Sequence, residues 1–353
     1  KYQLDNSNKG EKRVEFGNTQ NLYDLNLSYK LNGKKEIKST NLKAFRQILT
    51  PKIEDGLITR NPTHEEFSSL IEDKKNKTIF IKDNIIIKKP LVLPANYKLK
   101  IREGVTLILK EEGLIFVQGA LIMEGSKDKK IFVKSANGAK GILVLNSKEY
   151  SDIKHTIFDS LKPNTNDFLN ITGGLTFYNS PVKIKDTNFL NSQGEDALNL
   201  ISSPFNIKNV FFKNIDSDAI DLDFSDGEII GSKFINIGND AIDISGANVF
   251  LNQIFIEKVG DKAISVGERG NLKVNDLKIS NAFIGLASKD LSSTFISKIN
   301  INNVKICLAA YNKKEEYGPG FIKLKEEIPD CKSSYKLEKG SSIVINKNNL
   351  LPN

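Results

Sequence analysis

The sequence predicts an all-β solenoid, a parallel β-helix coiled in rungs of about 22 residues. Three observations lead there. Ala197, Ala219, Ala241 and Ala263 recur at intervals of 22 within GEDALNL, DSDAIDLD, GNDAIDIS and GDKAISVG. Between them lie only short runs rich in Ile, Val and Phe, such as NVFFKNI and SKFINI, punctuated by Gly and Asn. No helical period survives after Thr78. A repeat of this length with two or three short β runs means one coil, each strand pairing with its equivalent on the next. Leucine-rich repeats overlap this length, but they would show a helical half and an Asn and Leu consensus that this chain lacks.

The register extends both ways. Gly285 in FIGLASKD and Cys307 in KICLAA continue it, and GGLTFYNSPVKIKD aligns with DALNLISSPFNIKN at an offset of 23, matching Pro181 to Pro204. Written one beneath another, Phe212, Phe234 and Ile256 form one inward column, Ile215, Ile237 and Val259 a second, and Leu198, Ile220, Ile242 and Ile264 a third. Each large side chain so buried contributes roughly 1.5 to 3 kcal/mol, enough to hold the stack without metal or disulfides. Residues 77–353 are assigned to this solenoid, a rod of roughly a dozen coils and about 60 Å at about 4.8 Å per coil.

Residues 1–76 are read as an α/β cap, since the end of a solenoid must be covered against edge pairing. Within Asn21 to Ser39, alternating apolar residues flank Asn32-Gly33 as in a two-residue hairpin. In THEEFSSLIEDKK, Thr63 and Glu66 form a capping box ahead of Phe67, Leu70 and Ile71 at helical spacing, which predicts a helix. His64 falls in its first turn and is read as a solvated helix-end residue.

The 353 residues carry a formal charge of +8, with 2 His, 2 Cys and 1 Met. A basic surface tolerates anionic partners without selecting among them; a glycan is the partner expected, nucleic acid is not. With only His64 and His155, and neither cysteine in a CxxC, the sequence argues against a zinc site of the usual ligand types. No run nears the roughly 18 apolar residues of a membrane span. The chain opens on Lys1 and not on methionine; the expectation is an exported protein, secreted or on the cell surface with the periplasm as a variant, from which a signal or anchor has been removed. Cys307 and Cys331, 24 residues apart, would stack on neighbouring coils within disulfide reach.

The charge is unevenly placed. From Asp216 to Ser245 stand eight acids, Asp216, Asp218, Asp221, Asp223, Asp226, Glu228, Asp240 and Asp243, against the single base Lys233. If Ile220 and Leu222 point inward, Asp221 and Asp223 point outward and Asp243 stacks beside Asp221. Two carboxylates about 5 Å apart repel by roughly 3 kcal/mol at an effective dielectric of 20, so the pair wants a cation, a shared proton or a base. Asp221, Asp223 and Asp243 are thus candidate ligands for Ca²⁺, and Asp221, Asp240, Asp243, Lys262 and Lys289 candidate catalytic groups. Asp218, Asp223, Glu268 and Arg269 are candidate substrate contacts. Asp218 and Asp240 precede their strands and suit turn capping equally well; Lys262 and Lys289 suit salt bridging to the acidic rungs.

The segment from Thr78 to about residue 350 resembles the right-handed parallel β-helix superfamily of pectin-lyase-like proteins, which includes pectate lyases, polygalacturonases and alginate epimerases. Within it, Ser217 to Lys289 is similar to a polygalacturonase active region, whose Asn-Thr-Asp, Asp-Asp, Gly-His-Gly and Arg-Ile-Lys lie on successive rungs. Ser217-Asp218 stands where the first ends, Asn239-Asp240 at the second, Asp261-Lys262-Ala263 at the third and Ala287-Ser288-Lys289 at the fourth. The first aspartate of the pair, the histidine and the arginine are absent. LIFVQGALIMEGS and GDKAISVGE also resemble β-helix repeats of bacterial cell-surface proteins. The resemblance implies a right-handed coil and action on polysaccharide. Two functions compete: a cation-assisted glycan lyase or epimerase, or a hydrolase, with an Asp/Lys site on the outer strand face; or a non-catalytic surface solenoid binding glycan or protein.

Overall fold

The computed structural model describes residues 26–30, 37–41, 60–136, 139–163, 171–326 and 335–350. The chain divides into a unit of residues 1–55 and a unit of residues 56–353. In the first, Asn26–Lys30 pairs antiparallel with Ile37–Asn41, setting Lys30 opposite Ile37. A two-residue turn at Asn32-Gly33 would set Lys30 opposite Lys35, so the strands are joined by a longer connection, residues 31–36, which lies outside the described residues.

The second unit is a right-handed parallel β-helix of about 11 turns with rungs about 22 residues apart. Period-2 alternation puts one set of side chains inside. The first face makes this plain: Ile81, Ile101, Met123, Ile153, Ile184, Ile207, Ile229, Leu251, Val274, Ile296, Leu324 and Ile345 stand in unbroken register along it. All are buried. On the second face Phe158, Phe189, Phe212 and Phe234 stack with ring centroids 4.9, 4.7 and 5.0 Å apart. All three columns expected from the repeat are present in the predicted register.

Ladders of short polar side chains turn the corners. Between the second and third faces Asn191, Asn214 and Asn236 hold φ of 53°, 56° and 60°. That left-handed region costs asparagine less than most residues. Asn236 donates to Asn214 Oδ1 at 3.0 Å, and Asn214 to Asn191 Oδ1 at 3.1 Å. Between the third and first faces, the hydroxyls of Ser180, Ser203 and Ser225 accept the N–H groups of Ser147, Ser180 and Ser203, each at 2.9 Å. The abundance of Asn thus has a structural use. From Ile254 onward the second and third faces join without a loop, in the continuous strands Ile254–Gly267, Leu277–Lys289 and Ile299–Tyr311.

Both ends of the first face are closed by antiparallel strands: Leu70–Asp73 pairs with Thr78–Ile81, and Asn348–Asn349 with Ser342–Ile345. The helix expected after Thr63 does not form. His64–Glu66 is a single 3-10 turn, and the residues that would continue it run as the edge strand. The expected capping box is absent because Thr63 Oγ1 is engaged elsewhere, donating to Pro90 O at 2.7 Å and accepting from Val92 N at 2.9 Å. Pairing of Leu70 with Ile81 along the open edge satisfies backbone groups that a short helix would have left to its own weak propensity. His64 is correspondingly not solvated but 8% exposed.

Candidate functional site

The candidate site lies on the third face, where three adjoining positions of each rung build three columns. The middle column runs Thr176, Asn199, Asp221, Asp243, Ser265, Ala287, Ala309. Asp221 and Asp243 are therefore direct neighbours, as the repeat predicted. One rung before them Asn199 donates to Asp221 Oδ2 at 3.0 Å. One rung after, Ser265 is fully buried.

The column at the strand entrance contains Asp196, Asp218, Asp240 and Lys262. Here the turn-capping role is realised. Asp218 accepts the N–H of Asp240 at 2.8 Å and the Nδ2 of Asn239 at 2.7 Å. Asp240 accepts the N–H of Lys262 at 2.9 Å and its Nζ at 3.1 Å. Each carboxylate thereby ties its own rung to the next, and Lys262 also pairs with Asp261. The salt-bridging role foreseen for Lys262 is thus present in the structure.

In the third column Asp223 precedes Ser245, Gly267, Lys289 and Tyr311. Lys289 leaves this column: its side chain crosses Gly267 and donates from Nζ to Ser265 Oγ at 2.9 Å, 3.9 Å from Asp243 Oδ1. A Cβ at Gly267 would stand 2.9 Å from Lys289 Cε, so the glycine opens that path. Of the two substrate-contact candidates beyond the strand, Glu268 pairs with Lys314, and Arg269 lies 6.0 Å over the ring of Tyr317. The segment bearing Lys314 and Tyr317 is pinned by fully buried Asp290, which accepts the N–H groups of Lys313 and Lys314 at 2.7 Å each.

Crowding of acids sets the electrostatics. Burial, reinforced by Asp196, Asp223, Asp243 and Asp218, pushes Asp221 up to about 9. Burial pushes Asp196 up to about 7 despite a hydrogen bond from Thr172. Asp240 rises to about 6, burial outweighing the opposing attraction of Lys262. Asp218 and Asp223 are raised too, by burial first. For Lys262 burial works against the charge, but Asp240 and Asp261 outweigh it and its proton is held more tightly than in free lysine. At neutral pH Asp221 is a carboxylic acid, so the repulsion expected between the outward aspartates is relieved by a proton.

Among the described residues the one set of three or more potential ligands whose donor atoms lie within 4.8 Å of one another is His64, Glu65 and Glu72. The candidate calcium ligands Asp221, Asp223 and Asp243 do not converge in this way.

Asp196 and Asn199, 2% and 1% exposed, were not singled out from sequence although both lie on the same repeat, in register with Asp218 and Asp221. Extending the acidic columns one rung back would have found them. Ser265 and Gly267 carry no such signal, since their part follows from the course of the Lys289 side chain. Cys307 is buried and disulfide-bonded; Cys331 lies outside the described residues.

Comparison with protein-family models and with curated proteins finds no match. Among solved structures, the enzymatically active domain of tailspike protein 2 of bacteriophage CBA120 is 11% identical, with a TM-score of 0.40 over 77% of this chain and 48% of that one. This chain thus spans about half the length of that domain. A double mutant of the periplasmic alginate epimerase AlgG is 12% identical over 82% of each chain, with a TM-score of 0.40. PfbA, a surface adhesin of Streptococcus pneumoniae, is 10% identical over 77% of this chain and 86% of its own, with a TM-score of 0.24. None of these likenesses bears on the chemistry of the third face. No described helix is long and apolar enough to cross a membrane, which says nothing of strands.

Proposed function

We propose that this chain is an exported glycan-active enzyme that cleaves a glycosidic bond by acid–base catalysis on the third face. The observation that carries the reading is the in-register pair Asp221 and Asp243, with Asp221 held protonated up to about pH 9 and Asp243 beside Lys289. Two adjoining carboxyl groups in unlike environments can divide the roles of glycoside cleavage. Asp221 gives its proton to the glycosidic oxygen as its bond to the anomeric carbon breaks, and Asp243 faces the positive charge that develops on the sugar ring. Water then adds its hydroxyl to the anomeric carbon and returns a proton to Asp221. Asn199 orients the acid; Lys289, braced by Ser265, orients its partner. Lys262 holds Asp240 and so the entrance of the strand.

The lyase or epimerase favoured by the sequence needs a base that removes a proton next to a uronate carboxylate. Lys262 is ill placed for that task, because two carboxylates oppose loss of its own proton. The two reactions leave different products. With a panel of neutral and uronate-containing polysaccharides, the proposed chemistry liberates reducing ends without ultraviolet absorbance from an unsaturated sugar. Appearance of that absorbance would replace the proposal with elimination. Saturable glycan binding without any product would replace it with a surface solenoid that only binds.

A further inference from the structure

The cluster at the N-terminal end of the solenoid is unrelated to the third face. His64 is 8% exposed, yet neither of its ring nitrogens has a hydrogen-bond partner. A buried imidazole with both nitrogens unsatisfied is destabilising, and a ligand on one of them would remove that cost. Its Nε2 points toward Glu72 Oε2 at 3.8 Å, and Glu65 brings a second carboxylate so that the three donor atoms lie within 4.8 Å of one another.

We propose that His64, Glu65 and Glu72 bind a divalent transition-metal ion, with Zn²⁺ the one their ligand types suit best. An imidazole and two carboxylates form a mixed N and O set of the kind zinc accepts, whereas calcium and magnesium take oxygen ligands. Donors on one tetrahedral zinc stand about 3.3 Å apart, given bonds of about 2.0 to 2.1 Å. The His64 and Glu72 atoms need only close slightly, and Glu65, being exposed, is free to swing in. The neighbouring charges permit it. Glu66 is taken by Lys89, and Lys74, 3.8 Å from Glu72, is 79% exposed in its side chain and free to withdraw. Tyr97, whose ring lies 6.5 Å from that of His64, turns its hydroxyl to Glu72 and would help to orient that carboxylate.

The site would be structural. His64 and Glu65 belong to the 3-10 turn, Glu72 to the edge strand Leu70–Asp73 that closes the first face. One ion would fasten the turn to the strand that covers this end of the solenoid against edge pairing. Ligands this far apart in kind and fold setting were not readable from sequence, where the same stretch suggested a helix.

The test uses untagged full-length protein freed of metal with a chelator and titrated with ZnCl₂ by calorimetry, with the melting temperature followed in parallel. The expected result is uptake of one ion per chain and a rise in melting temperature. Affinity should fall at least tenfold in Glu65→Gln and Glu72→Gln and stay unchanged in Asp243→Asn. Should His64→Gln fail to fold, the exposed Glu65→Gln still decides. Absence of uptake, uptake indifferent to Glu65→Gln, or uptake abolished by Asp243→Asn overturns the assignment.

Discussion

Asp221 lies directly beside Asp243 on the next rung, the first accepting a hydrogen bond from Asn199 at 3.0 Å and the second 3.9 Å from the ammonium of Lys289. Identical residues in equivalent positions thus meet opposite surroundings, an amide on one side and a cation on the other. The stack imposes this asymmetry, because each rung offers its neighbour whatever its own sequence holds at that position.

Stability should fall as pH rises. Asp221 titrates at about 9 in the folded chain against an ordinary value of 3.8, so between these the folded state binds more protons than the unfolded one. The loss begins near pH 4, is steepened by Asp196 and Asp240, raised to about 7 and about 6, and levels off above about pH 9. Chemical denaturation at several pH values should show this descent. Asp221→Asn should flatten its upper part and exceed the parent in stability at alkaline pH; an unchanged slope would mean that Asp221 ionises normally.

Gly267→Ala should impair turnover while leaving the solenoid folded. The added methyl meets Lys289 Cε at 2.9 Å, and this flexible chain yields by leaving Ser265 and Asp243. A loss on the order of ten- to a hundredfold in kcat/KM, about 1.4 to 2.7 kcal/mol, with an unaltered circular-dichroism spectrum is expected. Full activity would show that Lys289 does not position Asp243.

Asn214 serves both the left-handed corner and the asparagine ladder. Asn214→Ala loses both and should cost about 2 kcal/mol, while Asn214→Gly keeps the backbone freedom and should cost less. Urea unfolding of the two variants gives the order; equal costs would assign the whole effect to the ladder.

Cys307 and Cys331 should be bridged to each other in secreted protein. Alkylation without reductant followed by mass measurement should label neither thiol, and labelling of both would exclude the bridge. Residue 331 belongs to a stretch outside the described residues, so the pairing rests on Cys307 being disulfide-bonded and on the 24-residue separation.

The coil was legible because stacking repeats the same contact on every rung, so Phe212, Phe234 and Ile256 align in the sequence as they do in space. The acidic columns were legible for the same reason, down to the pairing of Asp221 with Asp243. What the repeat could not convey lies off its register. Lys289 serves the middle column from the third by crossing a glycine, a diagonal that spacing does not encode. The edge strand Leu70–Asp73 carries helical spacing, and only the open flank of Thr78–Ile81 decides against it. With the helix went the view of His64 as a surface residue.

The most direct test of the central claim compares parent and Asp221→Asn on whichever polysaccharide of the panel yields reducing ends, at neutral pH and with glycan binding measured alongside. Turnover is expected to fall by about 10² to 10⁴, the usual worth of a general acid, while binding and fold persist. Equal turnover by parent and variant would contradict that claim.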